Sequence, residues 1–100
     1  MPKKSLGTLT ESMFYVLLTL RQGAMCGIDI ADAVEQRTRG RVLIGPATLY
    51  TVLSKFLAEK YIQEVAVEGR KRTYAITAKG ISALEDEIQR LQQCLQDAMP

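Results

Sequence analysis

The chain has 100 residues, of which 47% are hydrophobic and 24% charged, with a formal net charge of +2. This size and balance fit one small globular domain and exclude a largely disordered chain. Two cysteines and no histidine cannot complete a tetrahedral zinc shell. The longest apolar run, Met13 to Leu18, is far shorter than the ~20 residues of a membrane span. We therefore expect a soluble, cytoplasmic protein without metal, cofactor or membrane partner.

The positive charge is concentrated in the first part of the chain. Residues 1–80 carry a net charge of +5, whereas residues 81–100 carry −3. A basic body with an acidic end directs the positive field to one part of the protein. Cys26 and Cys94 are interpreted as two small, semi-apolar side chains without a chemical role, and a redox switch is the alternative.

Two helices are predicted in the first forty residues. Thr8 is followed three positions later by Glu11, which is the form of a capping box, and the helix it opens extends to about Arg21. Its apolar residues leave little polar surface, so this helix should be buried on more than one side. A second helix is predicted from about Gly27 to Thr38, and residues 42–44 are predicted to pair briefly as a strand.

A third helix is predicted from Pro46 to about Lys60, because proline suits a first helical turn. The apolar positions 49, 52, 53, 56 and 57 follow helical spacing and should face the core. The opposite face has small or hydroxyl side chains and one charge, which is typical of a helix that enters the DNA major groove. The candidate DNA contacts on it are Ala47, Thr48, Thr51, Ser54 and Lys55. Tyr50 fits either the core or a DNA contact.

Two β-like runs, residues 62–67 and 71–76, flank the turn Glu68-Gly69-Arg70 and predict a hairpin. In the first run, Ile62, Glu64 and Ala66 should lie on one side of the strand. The adjoining cluster Arg70-Lys71-Arg72 suits contact with DNA phosphates. Further backbone contacts are predicted for Lys3, Lys4, Arg39 and Arg41.

The last helix is predicted from a cap at Thr77 to about Ala98. Its apolar residues recur at steps of three and four, as in a heptad seam, and the candidate dimer contacts are Ile81, Leu84, Ile88, Leu91 and Leu95. The seam predicts a homodimer, and packing on the first helix of the same chain is the alternative that could hold at the same time. An enzyme is not expected, since the sequence contains no histidine, P-loop or GxSxG motif.

Several of these segments together resemble the PadR family of bacterial transcriptional regulators, in its short subgroup with one C-terminal helix. The resemblance covers about residues 9–80. It is carried by Tyr15-Val16-Leu17-Leu18, Gly27-Ile28-Asp29-Ile30, Ala47-Thr48-Leu49-Tyr50-Thr51-Val52-Leu53, Gly69-Arg70-Lys71-Arg72-Thr73-Tyr74 and Ile76-Thr77-Ala78-Lys79-Gly80. The chain departs from the family in having Ile28 at the usual tyrosine position and in having no tryptophan.

The resemblance implies a mainly α winged helix-turn-helix with an α+β wing and a C-terminal dimerisation helix. It implies a homodimeric repressor that releases its double-stranded DNA operator when an aromatic compound or drug binds. Thr48, Tyr50, Thr51 and Lys55 would be recognition-helix contacts, and Arg70, Lys71 and Arg72 wing contacts. Because tryptophan is absent, Met13, Phe14 and Met25 are the candidates to line an apolar effector cavity.

We thus expect a DNA-binding part at residues 1–76 and a dimerisation helix at residues 77–100, together forming one compact domain. The leading hypothesis is a sequence-specific transcriptional regulator. The alternative is a winged-helix module that binds another protein and does not read DNA, which the sparse charge on the third helix would favour.

Overall fold

Four helices and three strands make up the described part of the chain, residues 7–100 of the computed structural model. In chain order the elements are α1 (Glu11–Leu20), β1 (Met25–Cys26), α2 (Gly27–Thr38), α3 (Pro46–Ala58), β2 (Ile62–Glu68), β3 (Lys71–Ile76) and α4 (Ala78–Ala98). The three strands form an antiparallel sheet in the order β1-β3-β2. The predicted fold class, a winged helix-turn-helix followed by a C-terminal helix, is confirmed.

The N-cap of the first helix lies two residues later than predicted. Thr10, not Thr8, is the N-cap, and its Oγ1 accepts a hydrogen bond from the backbone N–H of Met13 at 3.2 Å. Glu11 is consequently the first helical residue and not the second half of a capping box. Both threonines precede the apolar run and both are good N-cap residues, so the sequence alone does not decide which of them caps the helix.

The predicted strand at residues 42–44 is wrong. Val42 and Ile44 are buried while Leu43 is exposed, but the segment is a loop, held where Thr38 Oγ1 accepts from the backbone N–H of Val42 at 3.0 Å. The third strand is Met25–Cys26, which pairs with β3 directly before α2 begins. This pairing fixes the start of α2 against the sheet.

The core lies where α1 packs against α2, α4 and one face of the sheet. As predicted, α1 is buried on more than one side, since Met13, Val16, Leu17, Thr19 and Leu20 are all covered. α3 contributes its predicted apolar face with one exception, because Leu57 is 37% exposed. α3 also ends at Ala58, two residues before its predicted end, and the chain then passes through Lys60 at a left-handed φ of 62°.

The hairpin turns at Gly69, whose φ of 62° lies in the left-handed region that glycine adopts most readily. Glu68 pairs with Lys71 across this turn, which agrees with the hairpin predicted from the sequence. The predicted alternation along β2 is wrong beyond its first residues. A bulge between Glu64 and Ala66 leaves Val65 without a partner in the register, and only Ile62 of this strand is buried.

The junction between the wing and α4 is tightly built. Thr77 caps α4 by accepting from the Gly80 N–H at 3.1 Å, and its Oγ1 donates to the Lys60 carbonyl at 2.6 Å. A Cβ at Gly80 would collide with the carbonyl oxygen of Tyr61, so glycine is required there. These contacts fix the base of α4 against the DNA-binding part predicted from the sequence.

Candidate nucleic-acid interface

Helix α3 presents two chemically different faces. Leu49, Val52, Leu53 and Phe56 are buried in the core. The predicted contact residues on the other side are all exposed to solvent: Ala47, Thr48, Tyr50, Thr51, Ser54 and Lys55. Tyr50 is 62% exposed, which removes the alternative that it belongs to the core. The helix therefore offers an uninterrupted surface of small, hydroxyl and phenol groups.

The hydroxyl of Thr51 has a defined polarity. It donates to the backbone carbonyl of Ala47 at 2.9 Å, one turn earlier in α3. While this bond is made, the oxygen is free to accept from an external group. Such an acceptor matches the exocyclic amino groups that adenine and cytosine present in the major groove.

The three basic residues of the wing are exposed but not equivalent. Arg72 donates from Nη1 to both carboxylate oxygens of Glu64 on β2, at 2.9 and 3.1 Å, and this hydrogen bond raises the pKa of Arg72. Arg70 and Lys71 have no acidic partner within residues 7–100. Two of the three charges are thus available to an anion, while the third is partly neutralised.

A groove of about 610 Å³ connects α3 with the wing. It is lined by Cys26, Gly27, Ile28, Asp29, Tyr50, Arg70, Lys71, Arg72 and Tyr74. Four of these residues, namely Tyr50 and the three wing cations, were predicted from the sequence as DNA contacts. The structure therefore brings together on one surface residues that the sequence assigned to two separate elements.

Sequence reasoning missed the other side of this groove. Cys26 is the N-cap of α2 and residues 27–29 form its first turn, where Ile28 is 74% exposed although it is a large aliphatic residue. Tyr74 is 5% exposed, and burial followed by the charge of Glu64 raises its pKa, against a smaller opposing effect of Arg72. Only the exposed apolar Ile28 carried a signal in the sequence, as a departure from the resembled family.

The remaining basic residues were predicted as backbone contacts. Arg41 instead donates from Nη1 to Glu11 at 2.8 Å and from Nη2 to the Tyr15 hydroxyl at 2.7 Å, so it ties the loop before α3 to α1. Arg39 ends α2 in a left-handed conformation and is exposed. Lys3 and Lys4 lie outside the described residues.

The apolar seam of α4 divides into an inner and an outer part. Leu84 is fully buried in the core of its own chain, so its side chain is already covered. Ile88 is half-buried, while Ile81, Leu91 and Leu95 are 37%, 36% and 63% exposed. Leu84 and, in part, Ile88 therefore pack within the chain, as in the intramolecular alternative, while Ile81 in the first turn and Leu91 and Leu95 further along present apolar side chains to solvent.

The residues predicted to line an effector cavity belong to the core. Met13 is buried, Phe14 and Met25 are packed against it, and none of them lines the groove between α3 and the wing. Among residues 7–100, no helix combines the length and apolarity needed to cross a bilayer. The same residues contain no cluster of cysteine and carboxylate side chains able to hold a metal ion.

The model of the transcriptional regulator PadR-like family matches residues 16–86, which is most of the chain. A comparison with curated protein sequences finds no match.

Among solved structures, a transcriptional regulator from Clostridium thermocellum superposes with a TM-score of 0.78 at 23% identity, covering 85% of this chain and 84% of that one. A PadR family regulator from Clostridium difficile gives 0.73 at 18% identity, covering 87% and 93%. BpsR of Bordetella bronchiseptica, whose DNA binding is regulated by 6-hydroxynicotinic acid, gives 0.72 at 27% identity, covering 92% and 62%. With the family match and the shared fold, the chain belongs to the PadR-like family of transcriptional regulators and not to a family of enzymes.

Proposed function

We propose that this regulator is a homodimeric repressor that binds a two-fold symmetric DNA operator in the cytoplasm. The observation that carries the proposal is the groove shared by Tyr50 of α3 and the cations of the wing. A winged helix-turn-helix binds a DNA duplex with a recognition helix and a basic hairpin that lie on one surface.

The two parts have different roles. The exposed face of α3 enters the major groove, where Thr48, Thr51 and Ser54 meet base edges. Ala47 permits close approach of the helix, and Lys55 and Tyr50 lie at its rim. Arg70, Lys71 and, after release from Glu64, Arg72 contact phosphates and supply affinity that does not depend on sequence.

Dimerisation is assigned to α4. The helix has 21 residues and is therefore about 31 Å long. Its apolar side chains at Ile81, Ile88, Leu91 and Leu95 are not fully covered by the chain's own core. We assign residues 1–76 to DNA binding and residues 77–100 to pairing, which would set two copies of α3 about one helical turn of DNA apart.

An effector is also part of the proposal. BpsR, which shares the fold, has its DNA binding regulated by a small aromatic acid. In this chain a small apolar or aromatic effector would act by changing the angle between the two subunits, and thereby the spacing of the two α3 helices. Stacking between tryptophans is not available to it, because the chain has none.

The proposal is tested by fluorescence anisotropy with duplexes from the DNA upstream of the protein's own gene, at several salt concentrations. Arg70→Ala should weaken binding to all duplexes and reduce the salt slope by about one, because one phosphate contact is lost. Thr51→Ala should change the preference among duplexes. Arg37→Ala removes an exposed charge of α2 outside the groove and serves as the control.

Absence of binding to any duplex at low salt would contradict DNA recognition. Equal binding to every duplex would contradict sequence-specific recognition. A chain that binds no DNA and is monomeric at micromolar concentration by light scattering would instead favour a module that binds another protein.

A further inference from the structure

The first turn of α2 opens directly onto the groove between α3 and the wing. Its N-cap, Cys26, has the extended backbone of a capping residue but makes no side-chain hydrogen bond to the helix. The first N–H groups of a helix have no intrahelical partner, and the helix dipole makes this end positive. Because Gly27, Ile28 and Asp29 line the groove, those donors lie at its wall. A helix start alone does not identify a ligand.

Tyr74 provides an independent indication of a ligand. The residue is 95% buried yet lines the same groove, and its hydroxyl makes no hydrogen bond to any residue between 7 and 100. Burial raises the pKa of this phenol, so it stays protonated near neutral pH and remains a donor. Because this oxygen is not itself fully covered, the hydroxyl is free to donate to an external acceptor in the groove.

The charges around the groove favour a singly charged anion. Arg70 and Lys71 have no acidic partner among the described residues 7–100, and Arg72 is held by Glu64. Asp29 is the acidic group that faces the groove from α2, and Glu64 is the one that faces it from β2 through its pair with Arg72. The resulting field is positive but moderate, which suits one phosphodiester better than a multiply charged phosphate.

The apolar part of the groove indicates where that phosphate comes from. Ile28 and the ring of Tyr50 are 74% and 62% exposed and flank the polar donors. Free inorganic phosphate has no apolar surface to cover them. A nucleic-acid strand does, because a deoxyribose lies on each side of every phosphate.

We propose that this groove is a phosphate clamp, which holds one backbone phosphodiester of the bound duplex between the first-turn N–H groups of α2, the Tyr74 hydroxyl, and the cations Arg70 and Lys71. The inference rests on the proposed function and adds the point at which each subunit is fixed on the DNA backbone. The clamp sets the register of α3 in the major groove and reads no base itself.

The test is Tyr74→Phe, which removes the hydroxyl and keeps the buried ring. Binding should weaken about tenfold on specific and non-specific duplexes alike, because a hydrogen bond to a charged acceptor is lost. The salt slope should not change, since the hydroxyl carries no charge. Tyr61→Phe is the matched control: Tyr61 is 3% exposed and lies outside the groove.

The clamped phosphate can be located with duplexes that carry one neutral methylphosphonate linkage. One position in each half-site should weaken binding of the wild type and have little further effect on Tyr74→Phe. Inorganic phosphate, added at constant ionic strength, should not protect the wild type against thermal unfolding more than it protects Tyr74→Phe. Tyr74-dependent protection together with unchanged DNA binding would overturn the assignment to DNA.

Asp29→Asn is a second variant that decides the matter if Tyr74→Phe does not fold. It removes the acidic charge at the clamp and should tighten binding to every duplex several-fold. A wild type that binds DNA, with both variants binding equally well, would overturn the clamp and leave the proposed function standing. A wild type that binds no duplex would overturn both.

Discussion

Glu87 and Arg90, one turn apart on α4, form a two-point ion pair. Arg90 Nε donates to Oε1 at 2.9 Å and Nη2 donates to Oε2 at 2.6 Å, while the Glu87 side chain is only 6% exposed. The hydrogen bond from Arg90 lowers the pKa of Glu87, and the backbone amide of Leu9 lowers it further against the effect of burial. A nearly buried carboxylate of α4 is thus held in its charged form chiefly by Arg90.

Glu87→Gln should destabilise the protein at about pH 7 by roughly 1–2 kcal/mol, because a charge-assisted hydrogen bond is lost. The pKa of Glu87 is depressed in the folded state, so its contribution is present above the unfolded pKa of about 4.5 and disappears as the pH falls through the folded pKa. The difference in unfolding free energy between wild type and variant should therefore shrink at about pH 3. Urea denaturation at both pH values measures it, and a difference that stays constant would contradict the assignment.

Thr19 of α1 is the one residue of the described chain with a fully buried side-chain oxygen and no hydrogen-bond partner. Thr19→Val removes this unsatisfied group and keeps nearly the same shape, so we expect stabilisation of about 1 kcal/mol. Thr10→Val is the matched control with the opposite sign. It removes the cap hydrogen bond to Met13 and should cost about 1 kcal/mol. Equal shifts of the two urea midpoints in one direction would refute this explanation.

The segments that were predicted well are those in which apolar or β-branched residues follow a regular pattern along the sequence. α2, the wing strands and α4 have clear spacing or β-branched runs, and their predicted limits agree with the structure within a residue or two. The strand at Met25–Cys26 was missed because two residues are too few to show an alternating pattern. Its partner in β3 lies almost fifty positions away in the sequence. The bulge at Val65 was missed because an apolar residue there continues the expected alternation.

For the candidate interface, the sequence predicted the residues but not how they are combined. The exposed face of α3 and the basic wing follow from composition and spacing. The groove between them also needs Tyr74 and the start of α2, which become neighbours only when β1 pairs with β3. In the same way, the heptad spacing of α4 could not distinguish Leu84, which is covered by its own chain, from Leu95, which is exposed.

The ion pair between Glu64 and Arg72 should restrain DNA binding. Glu64→Gln removes the carboxylate that holds Arg72 and leaves the guanidinium free to meet a phosphate. We expect several-fold tighter binding to specific and non-specific duplexes and a salt slope larger by about one. Glu35→Gln, an equal charge change on an exposed position of α2 outside the groove, is the control. Affinity and slope equal to those of the control would show that Arg72 makes no DNA contact.

The outer apolar residues of α4 should hold the dimer together without supporting the fold of each subunit. Leu95 is 63% exposed and is not part of the buried core, so Leu95→Asp should leave the circular dichroism spectrum and unfolding midpoint of the monomer nearly unchanged. The charge would prevent burial of this side chain between subunits, and light scattering should report the monomer mass. Gln92→Asp introduces the same charge at an exposed α4 position outside the apolar series and should remain dimeric. Operator binding should then fall far more for Leu95→Asp, because two half-sites are no longer bound by one linked molecule. A dimer that survives Leu95→Asp would place the subunit contact elsewhere.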